Sequence, residues 1–145
     1  MNLETLMAFA GRHPMLSLAL VGLTVAIAYT EIARLLRGYR AVKPAELPAL
    51  MNQQNALVVD LSATADFDKG HIAGSRSLTP SQFDPQGKLL AAARQAPVVV
   101  ACRNGMASAS AAGKLKKAGF EQVYWLDGGI AAWQAAGLPL VKGRA

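Results

Sequence analysis

The chain has 145 residues, a formal net charge of +6 and 52% hydrophobic residues, which suits one domain plus a short extra segment. Its single cysteine excludes an internal disulfide, and its two histidines lack zinc-site spacing, so we predict no metal site and no cofactor. Basic residues do not form a stripe interleaved with aromatic ones, which argues against a nucleic-acid partner.

An apolar run dominates the N-terminal part of the chain. No Asp, Glu, Lys or Arg occurs in the 18 residues from 13 to 30. Since a helix of about 20 apolar residues crosses the hydrocarbon core of a bilayer, we predict a transmembrane helix over residues 13–36. It follows a short N-terminal segment, residues 1–12, and precedes a basic juxtamembrane linker, residues 37–43. A buried core helix fits less well because the run has no polar face.

Basic residues follow this run at three-residue intervals, at Arg34, Arg37, Arg40 and Lys43. The positive-inside rule then places the C-terminal domain in the cytoplasm and the short N-terminus outside. The lipid bilayer and other membrane proteins are the expected partners of such a helix. A cleaved signal peptide is the alternative, since residues 26–28 resemble a cleavage site, but its basic residues would precede the apolar run.

Strands and helices alternate over the rest of the chain, residues 44–145, which indicates an α/β domain with a mostly parallel central sheet flanked by helices. Residues 39–43 form either a connection or a first strand. In such sheets ligands bind beyond the carboxyl ends of the strands, where Asp60 and Cys102 lie. Further strands are predicted at 56–61, 75–78, 98–101 and 122–126, and helices at 44–51, 88–95, 107–117 and around Trp133.

Cys102 lies where a valine-rich strand stops and a turn containing Gly105 leads into a helix. Backbone N–H groups and the helix dipole favour an anion at such a helix N-terminus. We therefore predict that Cys102 is a nucleophilic thiolate. The alternative is a small buried hydrophobic residue, as many free cysteines are.

Four stretches of sequence, taken in order, resemble landmarks of the rhodanese-like domain family. The likeness covers about residues 40 to 141, and with the apolar run the whole chain is similar to small single-pass bacterial proteins of this family. That resemblance implies an inner-membrane location. The stretches are Val58-Val59-Asp60-Leu61, Gly70-His71-Ile72-Ala73-Gly74-Ser75 after Phe67, the loop from Cys102 to Ser108, and Gly119-Phe120 through Gly137-Leu138-Pro139.

The resemblance implies a sulfurtransferase. Cys102 would take sulfane sulfur from a small donor such as thiosulfate, or from a protein persulfide, and pass it to a thiophilic acceptor. Backbone N–H groups of the loop would hold the outer sulfur. Arg103 would either attract an anionic donor or lie solvated, and Asp60 and His71 would support the site structurally. The implied substrate-binding residues are Arg103, Asn104, Gly105, Met106, Ala107 and Ser108.

Two positions depart from the family pattern. Many members have arginine two residues after the strand-end aspartate and five residues after the cysteine, where this chain has Ser62 and Ala107. The missing charges weaken anion binding and favour a protein persulfide as donor. They also support an alternative function, a membrane-tethered interaction module with little or no catalysis. A cysteine-dependent phosphatase would need arginine at the position of Ser108 and is disfavoured.

Overall fold

The computed structural model describes residues 2–143. They form two compact units that divide between Arg37 and Gly38.

The first unit consists of two helices, α1 (Leu3–Arg12) and α2 (Pro14–Leu36), with His13 between them. His13 has φ −128° and ψ 67°, which is outside the helical region, and Pro14 suits the first position of the next helix because its φ is already helical. The most apolar 18-residue window of α2 has a mean hydropathy of 1.8 and is entirely unburied.

Helix α2 is therefore long and apolar enough to cross a membrane. Its 23 residues correspond to about 35 Å at the rise of an α-helix, against a hydrocarbon core of about 30 Å. A signal sequence near the N-terminus can meet the same criteria of length and apolar composition.

The second unit is built on a five-stranded parallel sheet with strand order β1-β5-β4-β2-β3. This confirms the α/β class and the parallel sheet predicted from the alternating pattern. Because all strands run the same way, their carboxyl ends share one edge, at which Asp60 lies opposite Ala101. The strands are β1 (Tyr39–Val42), β2 (Leu57–Asp60), β3 (Arg76–Ser77), β4 (Val98–Ala101) and β5 (Val123–Leu126).

Helices cover both faces of this sheet, which explains why β4 is apolar without alternation. Val98 and Val100 join one hydrophobic cluster with Leu115, whereas Val99 joins the other with Ile130. All three valines of β4 are fully buried. The helices are α3 (Leu47–Gln54), α4 (Thr64–Lys69), α5 (Lys88–Ala91), α6 (Met106–Lys117) and α7 (Gly129–Ala135).

Residues 39–42 form a strand, which was one of the two alternatives for this stretch. Strand β1 pairs with β5 from Tyr39 opposite Val123 to Val42 opposite Leu126. Most of the stretch predicted as a basic linker, residues 37–43, thus belongs to the sheet. The burial of Val42 and the partial burial of Tyr39 are the local reason for this difference.

Two helices differ from their predicted bounds by several residues, and a third was not predicted. α3 begins at Leu47 rather than at residue 44, because a turn precedes it in which the Glu46 carboxylate accepts the Lys43 N–H. α5 ends at Ala91 rather than at residue 95. The chain continues in turns in which an N–H donates to the carbonyl three residues earlier, as Ala93 does to Leu90. α4 was not predicted at all, because six residues are too few to show a helical period.

Candidate functional site

The loop from Cys102 to Gly105 lies at the carboxyl edge of the sheet. It joins the central strand β4, which ends at Ala101, to helix α6, which begins at Met106. The neighbouring strand β2 ends at the same level of the sheet, where Asp60 pairs with Ala101. The next residue, Leu61, donates its N–H to the Ala101 carbonyl at 2.8 Å. The topology therefore places Cys102 where ligands bind in parallel α/β sheets.

Three polar groups surround the sulfur of Cys102. The backbone N–H of Gly105 donates to Sγ at 3.0 Å, Ser108 Oγ lies 3.6 Å from Sγ, and Asn104 Oδ1 lies 3.8 Å from it. The cysteine is 5% exposed, so little water competes for these interactions. A donated N–H at the start of a helix stabilises a sulfur anion, which suits a nucleophilic thiolate.

The loop has its shape because of two residues with special turn chemistry. Gly105 has φ 87°, and a Cβ there would lie 3.2 Å from the Gly128 nitrogen, so only glycine fits without displacement. Asn104 Oδ1 accepts the Met106 N–H at 3.1 Å, as asparagine does in tight turns. These two residues aim the Gly105 N–H at the sulfur.

Ser108 stabilises the same turn from within the helix. Its hydroxyl is fully buried and donates to the Gly105 carbonyl at 2.8 Å. The predicted substrate-binding residues therefore differ in burial. Gly105 and Ser108 are buried beside the sulfur, and Arg103 is partly buried. Asn104 in the loop is exposed, as are Met106 and Ala107 in the first turn of α6, Met106 to 78%.

The start of α7 packs against the cysteine loop. The Ile130 N–H donates to the Cys102 carbonyl at 2.8 Å, and the Ala131 N–H donates to the Arg103 carbonyl at 3.1 Å. A Cβ at Gly129 would lie 2.2 Å from the Cys102 oxygen. A helix around Trp133 was predicted from the sequence, but this contact was not; the paired glycines before that helix, Gly128 and Gly129, were the available signal.

Arg103 connects the cysteine loop to helix α4. Its guanidinium Nη2 donates to the backbone carbonyl of Asp66. Its Nε is buried and has no hydrogen-bond partner within residues 2–143. The side chain is therefore partly buried and tethered, rather than solvated, and its donation to Asp66 competes with any role in attracting an anionic donor.

Asp60 and Ser62 occupy the neighbouring strand end. Asp60 is fully buried and its Oδ1 accepts the Ser62 N–H at 2.8 Å, which closes the turn after β2. Asp60 Oδ2 and Ser62 Oγ are buried and make no hydrogen bond to any of the described residues. Asp60 thus shapes the edge beside the cysteine loop, as expected for a structural residue.

His71 lies in the connection between α4 and β3. Its Nδ1 is 2.8 Å from the Phe67 carbonyl, and its ring stacks on Phe67 with centroids 3.8 Å apart. Its backbone exchanges both hydrogen bonds with Val141, which ties the C-terminal stretch to this connection. These contacts order the connection between α4 and β3, and the supporting role of His71 at the site stays a prediction.

Sequence comparisons identify proteins to which this chain is similar. The chain is 40% identical to the protein YibN of Escherichia coli K12 over 143 residues, 98% of this chain and 100% of YibN. It is 30% identical to the thiosulfate sulfurtransferase GlpE of Pseudoalteromonas translucida over 98 residues, 68% of this chain and 91% of GlpE.

Solved structures give the same result for the fold. A thiosulfate sulfurtransferase from Pseudomonas aeruginosa matches with a TM-score of 0.65 and 28% identity over 73% of this chain, although the match covers only 20% of that longer chain. A rhodanese-related protein from Thermoplasma volcanium matches with a TM-score of 0.61 and 28% identity, covering 71% of this chain and 98% of the other.

The family model for the rhodanese-like domain matches residues 43–136, which include every strand except β1 and the whole cysteine loop. With its parallel sheet, its cysteine loop at the carboxyl edge and its full-length relatives, the chain belongs to the rhodanese-like domain family.

Proposed function

We propose that this protein is a sulfurtransferase that carries sulfane sulfur as a persulfide on Cys102. The observation that carries the proposal is the Gly105 N–H, 3.0 Å from Sγ in a buried loop at the start of α6. The likeness to thiosulfate sulfurtransferases over the same residues supports the reaction class.

The chemistry consists of two displacements at sulfur. The Cys102 thiolate attacks the outer sulfur of thiosulfate; a new S–S bond forms, and sulfite leaves with the electrons of the old one. An acceptor thiolate, or cyanide, then attacks the outer sulfur of the persulfide and regenerates the Cys102 thiolate. The Gly105 N–H donates to the sulfur and is placed to stabilise the negative charge of the Cys102 thiolate.

A protein persulfide is the donor that the charges around the loop favour. Ser62 and Ala107 occupy the positions where many family members have arginine, and the Arg103 guanidinium donates to Asp66. A small dianion such as thiosulfate therefore lacks two of the positive charges that many family members place near the loop. A protein donor instead gains its affinity from surface contacts, which exposed loop residues such as Met106 offer.

We also propose that α2 anchors the domain in the bacterial inner membrane as a single-pass helix, with the rhodanese-like domain in the cytoplasm. The apolar character of α2 and the basic residues that follow it support this orientation. The likeness to YibN extends over 143 residues, so it includes the N-terminal segment as well as the domain.

Intact-mass spectrometry of the full chain in detergent tests the sulfur transfer. The protein is incubated with thiosulfate and, separately, with a persulfide-loaded donor protein. We expect a mass gain of one sulfur atom that dithiothreitol or cyanide removes. Reversibility matters because two oxygen atoms add nearly the same mass, and sulfinic acid is not reduced by thiols.

Cys102→Ser is the matched control, since it replaces sulfur by oxygen at constant shape. We expect this variant to remain folded and to gain no sulfur. A sulfur adduct that persists in the folded variant would overturn the assignment to Cys102.

An interaction module is the second candidate, and the absence of arginine at positions 62 and 107 is the observation that favours it. In that case the wild-type protein gains no sulfur from either donor, although its thiol still reacts with iodoacetamide. The partners of the module would then be other membrane proteins.

A further inference from the structure

We propose that α1 is an interfacial helix, whose apolar face, Leu3, Leu6, Met7 and Ala10, lies in the headgroup boundary of the bilayer that α2 crosses. The inference goes beyond sulfur transfer, but it rests on the proposed membrane anchoring by α2. The occupant of this face is lipid.

The spacing of the residues defines the face. At about 100° per residue, positions 3, 6, 7 and 10 fall within an arc of about 100°, and Phe9 flanks it. Thr5 and Arg12 lie on the opposite side, and Glu4 lies at its margin. A helix that is apolar on one side and polar on the other suits the plane of a membrane surface rather than its interior.

The apolar side chains of α1 are not covered by protein. Leu3 is 74% exposed, Met7 68%, Phe9 54% and Leu6 48%. Four large hydrophobic side chains in a ten-residue helix are more than an isolated surface helix normally exposes to water.

Continuity with α2 identifies the bilayer as the partner. His13 alone separates the two helices, so the C-terminal end of α1 lies within one residue of the first turn of α2. If α2 spans the membrane, the end of α1 therefore lies at headgroup depth. The apolar face of α1 therefore contacts lipid, because α2 holds it at the bilayer surface.

The junction between the helices is built for a medium with little water. Pro14 has no N–H, so the Ala10 carbonyl loses the donor that a continuous helix would supply. The Ser17 hydroxyl compensates, lying 3.3 Å from the Ala10 carbonyl and 3.0 Å from that of His13. Backbone groups near a membrane need such partners, because lipid supplies none.

The charge of α1 predicts which lipids matter. Glu4 and Arg12 are its only charged side chains, and they balance each other. Insertion therefore depends on the apolar face rather than on attraction to anionic headgroups. We expect the same depth in zwitterionic and in anionic bilayers.

Site-directed spin labelling of the full chain in phosphatidylcholine vesicles, with and without phosphatidylglycerol, tests the proposal. The Cys102→Ser background leaves one label site per variant, and each variant carries Met7→Cys, Thr5→Cys or Leu23→Cys. Collision rates with oxygen, which partitions into lipid, and with a water-soluble nickel chelate report the depth of each label.

We expect the ratio of oxygen to nickel collision rates to be several-fold higher at position 7 than at position 5. This difference should appear in both lipid mixtures. The label at position 23, in the middle of α2, should show the highest ratio of oxygen to nickel collision rates. Equal nickel exposure at positions 5 and 7, with position 23 inserted, would overturn the interfacial helix and leave the anchor intact.

Two other outcomes also contradict the proposal. A label at position 7 that is shielded from both oxygen and nickel would mean that protein, such as a second copy of the chain, covers the face. Nickel exposure at position 23 would remove the membrane anchor, and the role of α1 with it, without bearing on persulfide formation at Cys102.

Discussion

At the residue scale, the shortest hydrogen bond to the sulfur of Cys102 comes from the backbone. The Gly105 N–H donates to Sγ, whereas the Arg103 guanidinium donates to Asp66. A loop of this kind can stabilise a persulfide, because hydrogen bonds from N–H groups to an anion are strong where water is excluded. It does little to gather a dianionic donor from solution, since that requires nearby positive charge.

Ala107→Arg should make thiosulfate a better donor. Ala107 is exposed in the first turn of α6, so a long side chain can be accommodated there without displacing the core. One charged contact with the donor is worth about 1.5–3 kcal/mol, which corresponds to a gain of about tenfold or more in kcat/KM. Steady-state thiocyanate formation from thiosulfate and cyanide measures this quantity.

Salt and a neutral variant serve as controls for the charge effect. The gain should diminish as ionic strength rises, because salt screens an exposed charge. Ala107→Gln, which adds length without charge, should behave as the wild type. A gain shared by both variants would refute the electrostatic explanation.

At the scale of elements, the cysteine loop depends on α7, which follows it by more than twenty residues. Hydrogen bonds from Ile130 and Ala131 fix the carbonyls of Cys102 and Arg103. Because these carbonyls are held, the Gly105 N–H stays aimed at the sulfur. The approach is close enough that position 129 has no room for a side chain.

Gly129→Ala should therefore strongly destabilise the domain. Its Cβ would lie 2.2 Å from the Cys102 oxygen and 2.8 Å from the Arg103 carbonyl carbon, and its φ is +65°. Since the clash is with backbone, we expect the free energy of unfolding to fall by about 4 kcal/mol or more. Urea denaturation followed by tryptophan fluorescence measures it.

Gly119→Ala is the matched control for backbone strain alone. Gly119 has φ +96°, but a Cβ there would meet nothing within 4 Å. We expect this variant to lose about 1–2 kcal/mol. Equal losses in the two variants would show that the contact between α7 and the loop does not limit stability.

At the scale of the whole molecule, the boundary between the two units lies after Arg37, and β1 is the first element of the second. Val42 is buried in the core, and Tyr39 packs against α6, where a Cβ at Gly113 would lie 3.6 Å from its ring. Removing β1 would uncover β5, and an unpaired edge strand promotes aggregation.

A chain of residues 38–145 should fold alone and unfold cooperatively, whereas one of residues 44–145 should not match its stability. We expect a difference of at least about 2–3 kcal/mol in the free energy of unfolding, from the burial of Val42 alone. Urea denaturation and size-exclusion chromatography of both chains give the comparison. Equal stability would mean that β1 is dispensable and that residues 37–43 serve as a linker.

Much of the fold was predictable from local sequence patterns. The valine run before Cys102 indicated a strand buried on both faces, and alternation of strands and helices indicated a parallel sheet; both are confirmed. The turn at Gly105 was also foreseeable, since glycine tolerates its φ of 87°. Short elements were harder to predict, because the six residues of α4 are too few to show a helical periodicity.

The sequence by itself determined the long apolar helix, the class of the sheet and the position of the cysteine at a strand end, because each follows from residues that are neighbours in the chain. Only the tertiary structure decided that β1 pairs with β5, that Arg103 donates to Asp66 and that Gly129 approaches Cys102. These contacts join residues about 25 to 85 positions apart. They arise when strands return to one sheet edge, and no local periodicity encodes which side chains then meet.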